Sequence, residues 1–554
     1  MLKSFIQKIE NSQMSFWQAV LLLYIVFFAR GFLENFVNSA NQNHITGFID
    51  IFFHYPFWFF SIFLLFFIIL TLFTKEKIEK VSRAGVLFSL IILIAPIADL
   101  IIYKSKGVAY TFIGGDFSGI LYSFLHFMKG IEGQVLGATL GIRIEAFLGL
   151  LFLALYIFLK TKEVLVSVAG VFVLYAAMFI FLSLPVFIFE AHNLATGSRE
   201  VVTLESMGNF YYFQEPVSSL TNHRTFILDL NNYEGLGIQR IKNQYSLTLA
   251  IVCLLIVVFL LGFWFRLYDK NKFYAALKNF RFLRILNFFL LTGLGIVLGI
   301  AFSKRAPVGS LFDFLSFVTL FSSLLFAWLF SVWENDEADV EIDQISNQSR
   351  PLLRGEFSPE EWSSLKYLFL FLSLAFAFLG GLYLFIFILL FLASYHIYSS
   401  PPFRLKRFLG VSSLLVAVSA LVAVLMGFFM SAGTESLSSF PAKWLFGFLA
   451  IVFLAENFKN LKDIEGDRRA GIKTLPVVLG EKRGKLVTGI LAFLTLLLFP
   501  LVFYFSISTF LAALLFGAVQ FFLIIRKNYQ EKYVFLTYLV FTAVFCLLTL
   551  AGNH

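Results

Sequence analysis

The chain has 554 residues, of which 59% are hydrophobic and only 14% charged. Soluble domains carry about a quarter charged residues, so a water-soluble globular protein is excluded. In such a composition the formal charge of +9 points to Lys- and Arg-rich cytoplasmic loops, not to nucleic acid. The two cysteines, Cys253 and Cys546, sit in apolar runs and imply neither a disulfide framework nor a thiolate metal site.

The polar stretch from Met1 to Met14 is not followed by a small-residue cleavage site, so no removable signal peptide is expected. Apolar runs near the ~20 residues that cross a bilayer as a helix then predict about six helices in the N-terminal half: 15–33, 51–74, 84–103, 136–160, 164–190 and 247–267. The stretch 107–127 is apolar but broken by Gly114, Gly115 and Gly119, and reads as re-entrant or interfacial. Residues 191–246 read as a long polar loop, a small extramembrane module. Arg143 and Glu145 fall inside an apolar run, two apart and so on different helix faces. Partners on neighbouring helices or an interfacial position are expected for them. This half resembles no known family and has no assigned role.

The segment 268–284 carries Lys270, Lys272, Lys278, Arg281 and Arg284 and reads as a cytoplasmic connector. It divides an N-terminal transmembrane domain, 1–267, from a C-terminal domain, 268–554. The latter is expected to hold nine helices: 285–303, 311–334, 363–380, 381–398, 408–430, 441–458, 485–505, 508–526 and 533–550. The fold class is thus an all-α polytopic membrane protein. With the N-terminus inside, the inner loops collect Lys75, Lys77, Lys80 and Arg83, then Lys160 and Lys162, then the connector, then Arg404, Lys406 and Arg407, then the cluster from Lys459 to Lys485. The outer segment 34–50 holds no Lys or Arg, which agrees with that orientation.

Two acidic segments carry the chemistry. The first runs Asn335-Asp336-Glu-Ala-Asp339-Val-Glu-Ile-Asp343, then Asn347, then Arg350-Pro351, with no Lys or Arg between Ala306 and Ser349. On an ideal helix Asp336, Asp339, Asp343 and Asn347 fall at roughly 0°, 300°, 340° and 20°, one narrow face of oxygen-bearing side chains. Carboxylates this close at membrane depth repel one another, and a hard cation compensates them. Oxygen-only ligands suit Mg²⁺, which leaves coordination room for substrate phosphates. The second segment, Glu456 to Pro476, places Glu456, Asn460, Asp463 and Asp467 at roughly 0°, 40°, 340° and 20° by the same projection. Between them, Tyr398-Ser-Ser-Pro401-Pro402-Phe-Arg404-Leu-Lys406-Arg407 stops a helix and adds three cations that could hold a phosphate. The crossing count puts all three segments on the cytoplasmic side.

The run NDEADVEIDQISNQSRPLLRG resembles the first aspartate motif of the UbiA family of intramembrane prenyltransferases, and KDIEGDRRAGIKTLPVVLG resembles the second. YSSPPFRLKR resembles the family's loop between its fourth and fifth helices. The resemblance covers roughly 268–554. It implies a nine-helix bundle and Mg²⁺-dependent transfer of a prenyl chain from an isoprenyl diphosphate donor to a lipid or aromatic acceptor within the membrane. The implied metal ligands are Asn335, Asp336, Asp339, Asp343, Asp463 and Asp467, the five aspartates being the catalytic set. The implied substrate-binding residues are Asn335, Asn347, Arg350, Tyr398, Arg404, Lys406, Asn460 and Lys462. Family members often carry Asp where this chain has Asn460, an oxygen donor without charge. In that mechanism the allylic C–O bond ionises as the leaving diphosphate is neutralised, in a water-poor, Phe-rich pocket. The run EGDRRAGIKTLPV is closer to the branch of digeranylgeranylglyceryl phosphate synthases, homogentisate prenyltransferases and chlorophyll synthases; a polyprenyl phosphoribose synthase also remains open. Soluble isoprenyl diphosphate synthases share paired acidic motifs but lack transmembrane runs. The alternatives are a non-catalytic scaffold, which Asn460 favours, and an ion-coupled transporter, which would place its acids near mid-membrane.

Overall fold

The computed structural model of the chain describes residues 2–38, 48–103, 117–128, 139–198, 237–303, 311–408, 410–432, 437–461 and 473–552, with a few isolated positions between. Every regular element among them is helical, and fourteen helices are long and apolar enough to cross a membrane. The chain is an all-α integral membrane protein. Two compact units are present; among the described residues one runs to Phe273 and the other begins at Tyr274.

The first unit contains α1 (Leu2–Glu10), α2 (Phe16–Asn38), α3 (Tyr55–Thr74), α4 (Ile78–Phe88), α5 (Ile94–Tyr103), α6 (Phe117–His126), α7 (Leu140–Thr161), α8 (Val164–Leu182), α9 (Leu184–Thr196) and α10 (Gly237–Tyr268). Its core is built on Phe27, Phe59, Phe67, Tyr156 and Leu174. The polar N-terminal stretch forms α1, where Glu10 is buried and accepts hydrogen bonds from Tyr156 Oη at 2.9 Å and Lys160 Nζ at 2.7 Å. Arg143 and Glu145 both lie on α7, and Glu145 meets Arg30 of α2 at 2.8 Å.

Three expectations need correction here. The run 164–190 is not one helix but two, parted at Ser183; Pro185, second in α9, has no N–H to extend α8. The polar loop is shorter than 191–246, because α9 continues to Thr196 and α10 starts at Gly237. Of the stretch 107–127, residues 117–126 form the ordinary helix α6, and 107–116 lie outside the described residues.

Beyond α11 (Lys270–Lys278), the described residues of the second unit form helices in each region where one was expected, eight of them long and apolar enough to cross a membrane. The helices in those regions are α12 (Phe282–Ser303), α13 (Leu311–Ala338) with its short continuation α14 (Val340–Ser346), α15 (Pro359–Gly380), α16 (Leu382–Ser399), α17 (Val411–Ser431), α18 (Ala442–Ala455), α20 (Glu481–Val502), α21 (Ile507–Ile525) and α22 (Glu531–Gly552). The short α19 (Leu475–Leu479) precedes α20. A capping box at Ser358, with Glu361 as its partner, starts α15 ahead of the apolar run. α12 packs along α17 backbone to backbone. A Cβ on Gly427 would lie 1.9 Å from the Thr292 carbonyl oxygen, and one on Gly295 would lie 2.0 Å from that of Val424. Small residues permit this close approach where lipid supplies no hydrophobic drive. Ser431 Oγ adds a hydrogen bond to the Ile296 carbonyl oxygen at 2.9 Å. α13 packs on α15 through Trp333 stacked on Trp362, whose Nε1 donates to the Trp333 carbonyl at 3.2 Å. These two contacts hold fixed the helices that carry and flank the first acidic segment.

Candidate active site

α13 carries the first acidic segment past the end of its apolar run. The ideal helix assumed from sequence is broken at Asp339, whose φ of −106° and ψ of 15° separate α13 from α14. The i to i−4 hydrogen bonds nevertheless continue from Asp339 to Asn335, Asp343 to Asp339 and Asn347 to Asp343, at 2.8 to 2.9 Å. Asn335, Asp339, Asp343 and Asn347 therefore still line one cavity of about 290 Å³. Asp336 is the exception. It is 2% exposed, accepts a hydrogen bond from Asn279 Nδ2 at 2.9 Å, and is paired with Arg281.

The expectation that these carboxylates lack partners is also corrected. Cations from outside the segment meet them. Lys406 lies against both oxygens of Asp339, and Arg404 donates to Asp339 Oδ1 at 3.0 Å. Arg350 Nε lies 3.5 Å from Asp343 and 3.9 Å from Asp336. Asn347 Nδ2 donates to Asp343 Oδ1 at 2.8 Å, and Ser399 Oγ to Asn335 Oδ1 at 2.9 Å. Burial raises the Asp343 carboxyl above its usual range, with Asn347 and Arg350 pulling it back. Burial lowers the Lys406 ammonium against the upward pull of Asp339, and lowers Arg281 to about 10 against that of Asp336. Each charge here is costly to desolvate and is held by its opposite.

The backbone explains how the cations arrive. α16 ends at Ser399, and the chain turns through Pro401 and Pro402 to Arg404, whose φ of 43° starts a short 3₁₀ turn, Leu405–Arg407. That turn delivers Lys406, 8% exposed, into the cavity. Arg407 lines no part of it. Tyr398 also lines the cavity, its ring 5.4 Å beneath Lys459 Nζ.

The second acidic segment differs from its projection. α18 ends at Ala455 and a 3₁₀ turn, Glu456–Leu461, follows. In a 3₁₀ turn residues three apart eclipse, and Glu456 pairs with Lys459. Lys462, Asp463 and Asp467 lie outside the described residues, as does the side chain of Asn460.

Sequence reasoning missed Asn279 and Arg281 as site residues, having placed Arg281 only in a basic connector. It also missed Asn287, Tyr395 and Tyr538, which line the cavity. A connector cation gives no periodic signal; only the pairing with Asp336 across 55 residues identifies Arg281. Away from the charged end the cavity wall is apolar, with Phe288, Leu291, Trp328, Val416 and Ile451. Asn335, Asp336, Asp339 and Asp343 offer oxygen donors only, the chemistry that suits Mg²⁺. Among the described residues, no three acidic, His or Cys side chains are gathered closely enough to form a metal cluster by themselves.

The cavity thus joins paired charges to an apolar stretch of wall within a bundle of helices long enough to cross a membrane. Residues 294–545 match the UbiA prenyltransferase family model. The digeranylgeranylglyceryl phosphate synthase of Pyrococcus furiosus is 30% identical over 167 residues, 29% of this chain and 56% of that protein. A probable homogentisate phytyltransferase of Oryza sativa is 31% identical over 168 residues, 29% of this chain and 42% of that protein. The chain thus spans about half the length of the curated relatives it matches. Among solved structures, a UbiA homologue from Archaeoglobus fulgidus bound to GPP and Mg²⁺ is 23% identical. The match covers 50% of this chain and 98% of that one, with a TM-score of 0.41.

Proposed function

We propose that the C-terminal unit is a Mg²⁺-dependent prenyltransferase. It moves a prenyl chain from an isoprenyl diphosphate to a lipid or aromatic acceptor within the membrane, with its site on the cytoplasmic side. The observation that carries this reading is the pairing of Asp339 with Lys406 and Arg404 at a cavity that also has an apolar wall of Phe288, Leu291, Trp328, Val416 and Ile451. Such a site has a ready partner for each part of the donor. Arg281, Arg350, Arg404 and Lys406 can pass from the aspartates to diphosphate oxygens, and the apolar wall can take the isoprenoid tail. Asn335, Asp336, Asp339 and Asp343 would hold Mg²⁺, with Asp463 and Asp467 of the second motif. When bound, the metal would neutralise charge on the leaving diphosphate. Asn347, Tyr398, Asn460 and Lys462 would complete the phosphate-binding set. The aromatic wall at Phe288 and Trp328 would exclude water from the reacting carbon.

The family match and the prenyltransferase names of the relatives support this reading over a scaffold or an ion-coupled transporter. So does the location of the acids at helix ends.

The test is a transfer assay on the purified chain. It uses labelled farnesyl, geranylgeranyl and longer polyprenyl diphosphates against geranylgeranylglyceryl phosphate, homogentisate, hydroxybenzoate and phosphoribosyl diphosphate. Product that disappears with EDTA and in Asp339→Ala supports the reading and identifies the acceptor. Absence of both transfer and Mg²⁺-dependent diphosphate release would leave the scaffold.

A further inference from the structure

Transfer to an acceptor releases a proton, and Asp336, Asp339 and Asp343 are each engaged by cations or amide donors. One carboxylate in the cavity is different. Glu456, first in the 3₁₀ turn after α18, is 7% exposed and lines the same cavity as Asp339, Asp343 and Lys406. Lys459 engages its Oε1, but among the described residues Oε2 accepts no hydrogen bond. Buried carboxylate oxygens without a hydrogen bond are rare and call for an explanation. An ionised carboxylate has about four lone-pair sites, so Glu456 presents unused acceptor capacity to the cavity. The Lys459 ammonium, held over the Tyr398 ring at 5.4 Å, balances its charge without filling that capacity. The flanking wall from its own helix is apolar, at Ile451, Val452 and Ala455. It is also not gathered with two other described acids into a metal cluster.

We infer that Glu456 takes the proton of the acceptor during transfer. The inference rests on the prenyltransferase reading above. The bond between the allylic C1 and the diphosphate oxygen breaks, and its electron pair leaves with the diphosphate. An electron pair of the acceptor, from a hydroxyl oxygen or an activated ring carbon, forms the new bond to C1. The acceptor's proton passes to Glu456 Oε2 and from there to water. No oxidant or reductant is needed. Glu456 belongs to a different element from the first aspartate motif, so acceptor activation and diphosphate binding are assigned to separate groups.

The test uses the full chain with Glu456→Gln and Glu456→Asp, assayed for donor binding, Mg²⁺ dependence and transfer. A general base contributes about 10²- to 10⁴-fold in rate. The expected result for Glu456→Gln is a loss of that order in transfer kcat, with donor affinity and Mg²⁺ dependence within about twofold of wild type. Glu456→Asp should recover part of the rate. Transfer by Glu456→Gln at the wild-type rate overturns the inference, as does a parallel loss of donor binding, which would make Glu456 a donor or metal ligand. If the Gln variant does not fold, Glu456→Asp decides: a lower kcat at unchanged donor affinity supports the role, and an unchanged kcat removes it. A wild-type chain that transfers to no acceptor overturns the prenyltransferase reading and this inference together; any other negative result touches Glu456 alone.

Discussion

The Lys406 ammonium lies against both carboxylate oxygens of Asp339, 67 residues earlier in the chain. Both side chains line the cavity, and Lys406 is almost fully buried. Removing Asp339 leaves the buried Lys406 ammonium without its carboxylate, a change that costs about 3–5 kcal/mol in proteins generally, whereas removing Lys406 leaves Asp339 with Arg404 at 3.0 Å. Asp339→Asn is therefore expected to lower transfer by at least about 100-fold. Lys406→Ala should weaken donor binding by about tenfold or more, the equivalent of roughly 1.4 kcal/mol. Equilibrium binding of a labelled isoprenyl diphosphate, read beside transfer rates, separates the two. Equal behaviour in both assays would remove the distinct roles.

Arg281 and Asp336 form the second buried pair, with Asn279 also donating to the carboxylate. Arg281→Met is expected to destabilise the C-terminal unit by about 3–5 kcal/mol, since Asp336 is then buried without its cation. The double variant Arg281→Met, Asp336→Leu should regain much of that stability while staying inactive. Thermal melting in detergent with a fluorescent reporter measures both.

Cation and anion should bind with positive coupling. In the structure the aspartates hold Lys406, Arg404 and Arg350, so Mg²⁺ and diphosphate each have to break the same ion pairs. Bound together, one takes the carboxylates and the other the freed cations. Inorganic diphosphate plus Mg²⁺ should raise the melting temperature by more than the sum of the two separate shifts, and EDTA should remove the excess. Additive shifts would mean that the ion pairs do not exchange.

The α12–α17 contact predicts a steric result. Gly427→Val is expected to destabilise the bundle strongly, because a Cβ there meets the Thr292 carbonyl oxygen at 1.9 Å and the backbones must part. Gly293→Ala, on α12 but with nothing within 4 Å of its Cβ, should melt close to wild type. Similar losses in both would point to helix propensity and not to packing.

In the N-terminal unit, Arg30 joins Glu34 of its own helix at 2.7 Å and Glu145 of α7 at 2.8 Å, all three with little exposure. Arg30→Met should lower expression and melting temperature by leaving two carboxylates unmatched, and adding Glu145→Gln should restore part of the loss. A folded, fully stable Arg30→Met would show that the pairs are dispensable.

The membrane class, the approximate regions of the helices and the two acidic segments were readable from the chain because each is a local property. An apolar run near 20 residues is a span wherever it occurs, and Asp336, Asp339 and Asp343 are close through spacing alone. The breaks were less readable. Asp339 leaves helical geometry and Glu456 begins a 3₁₀ turn, and in each case the surrounding residues would be compatible with an uninterrupted helix. Least readable of all were the partners. Arg281, Lys406 and Arg350 come from three different connections, and nothing in their sequence neighbourhoods specifies a carboxylate. Their pairing, and the open Oε2 of the buried Glu456, exist only once the helices close around one cavity. Electrostatic partnership depends on distance in space and on exclusion of water, and both are set by packing.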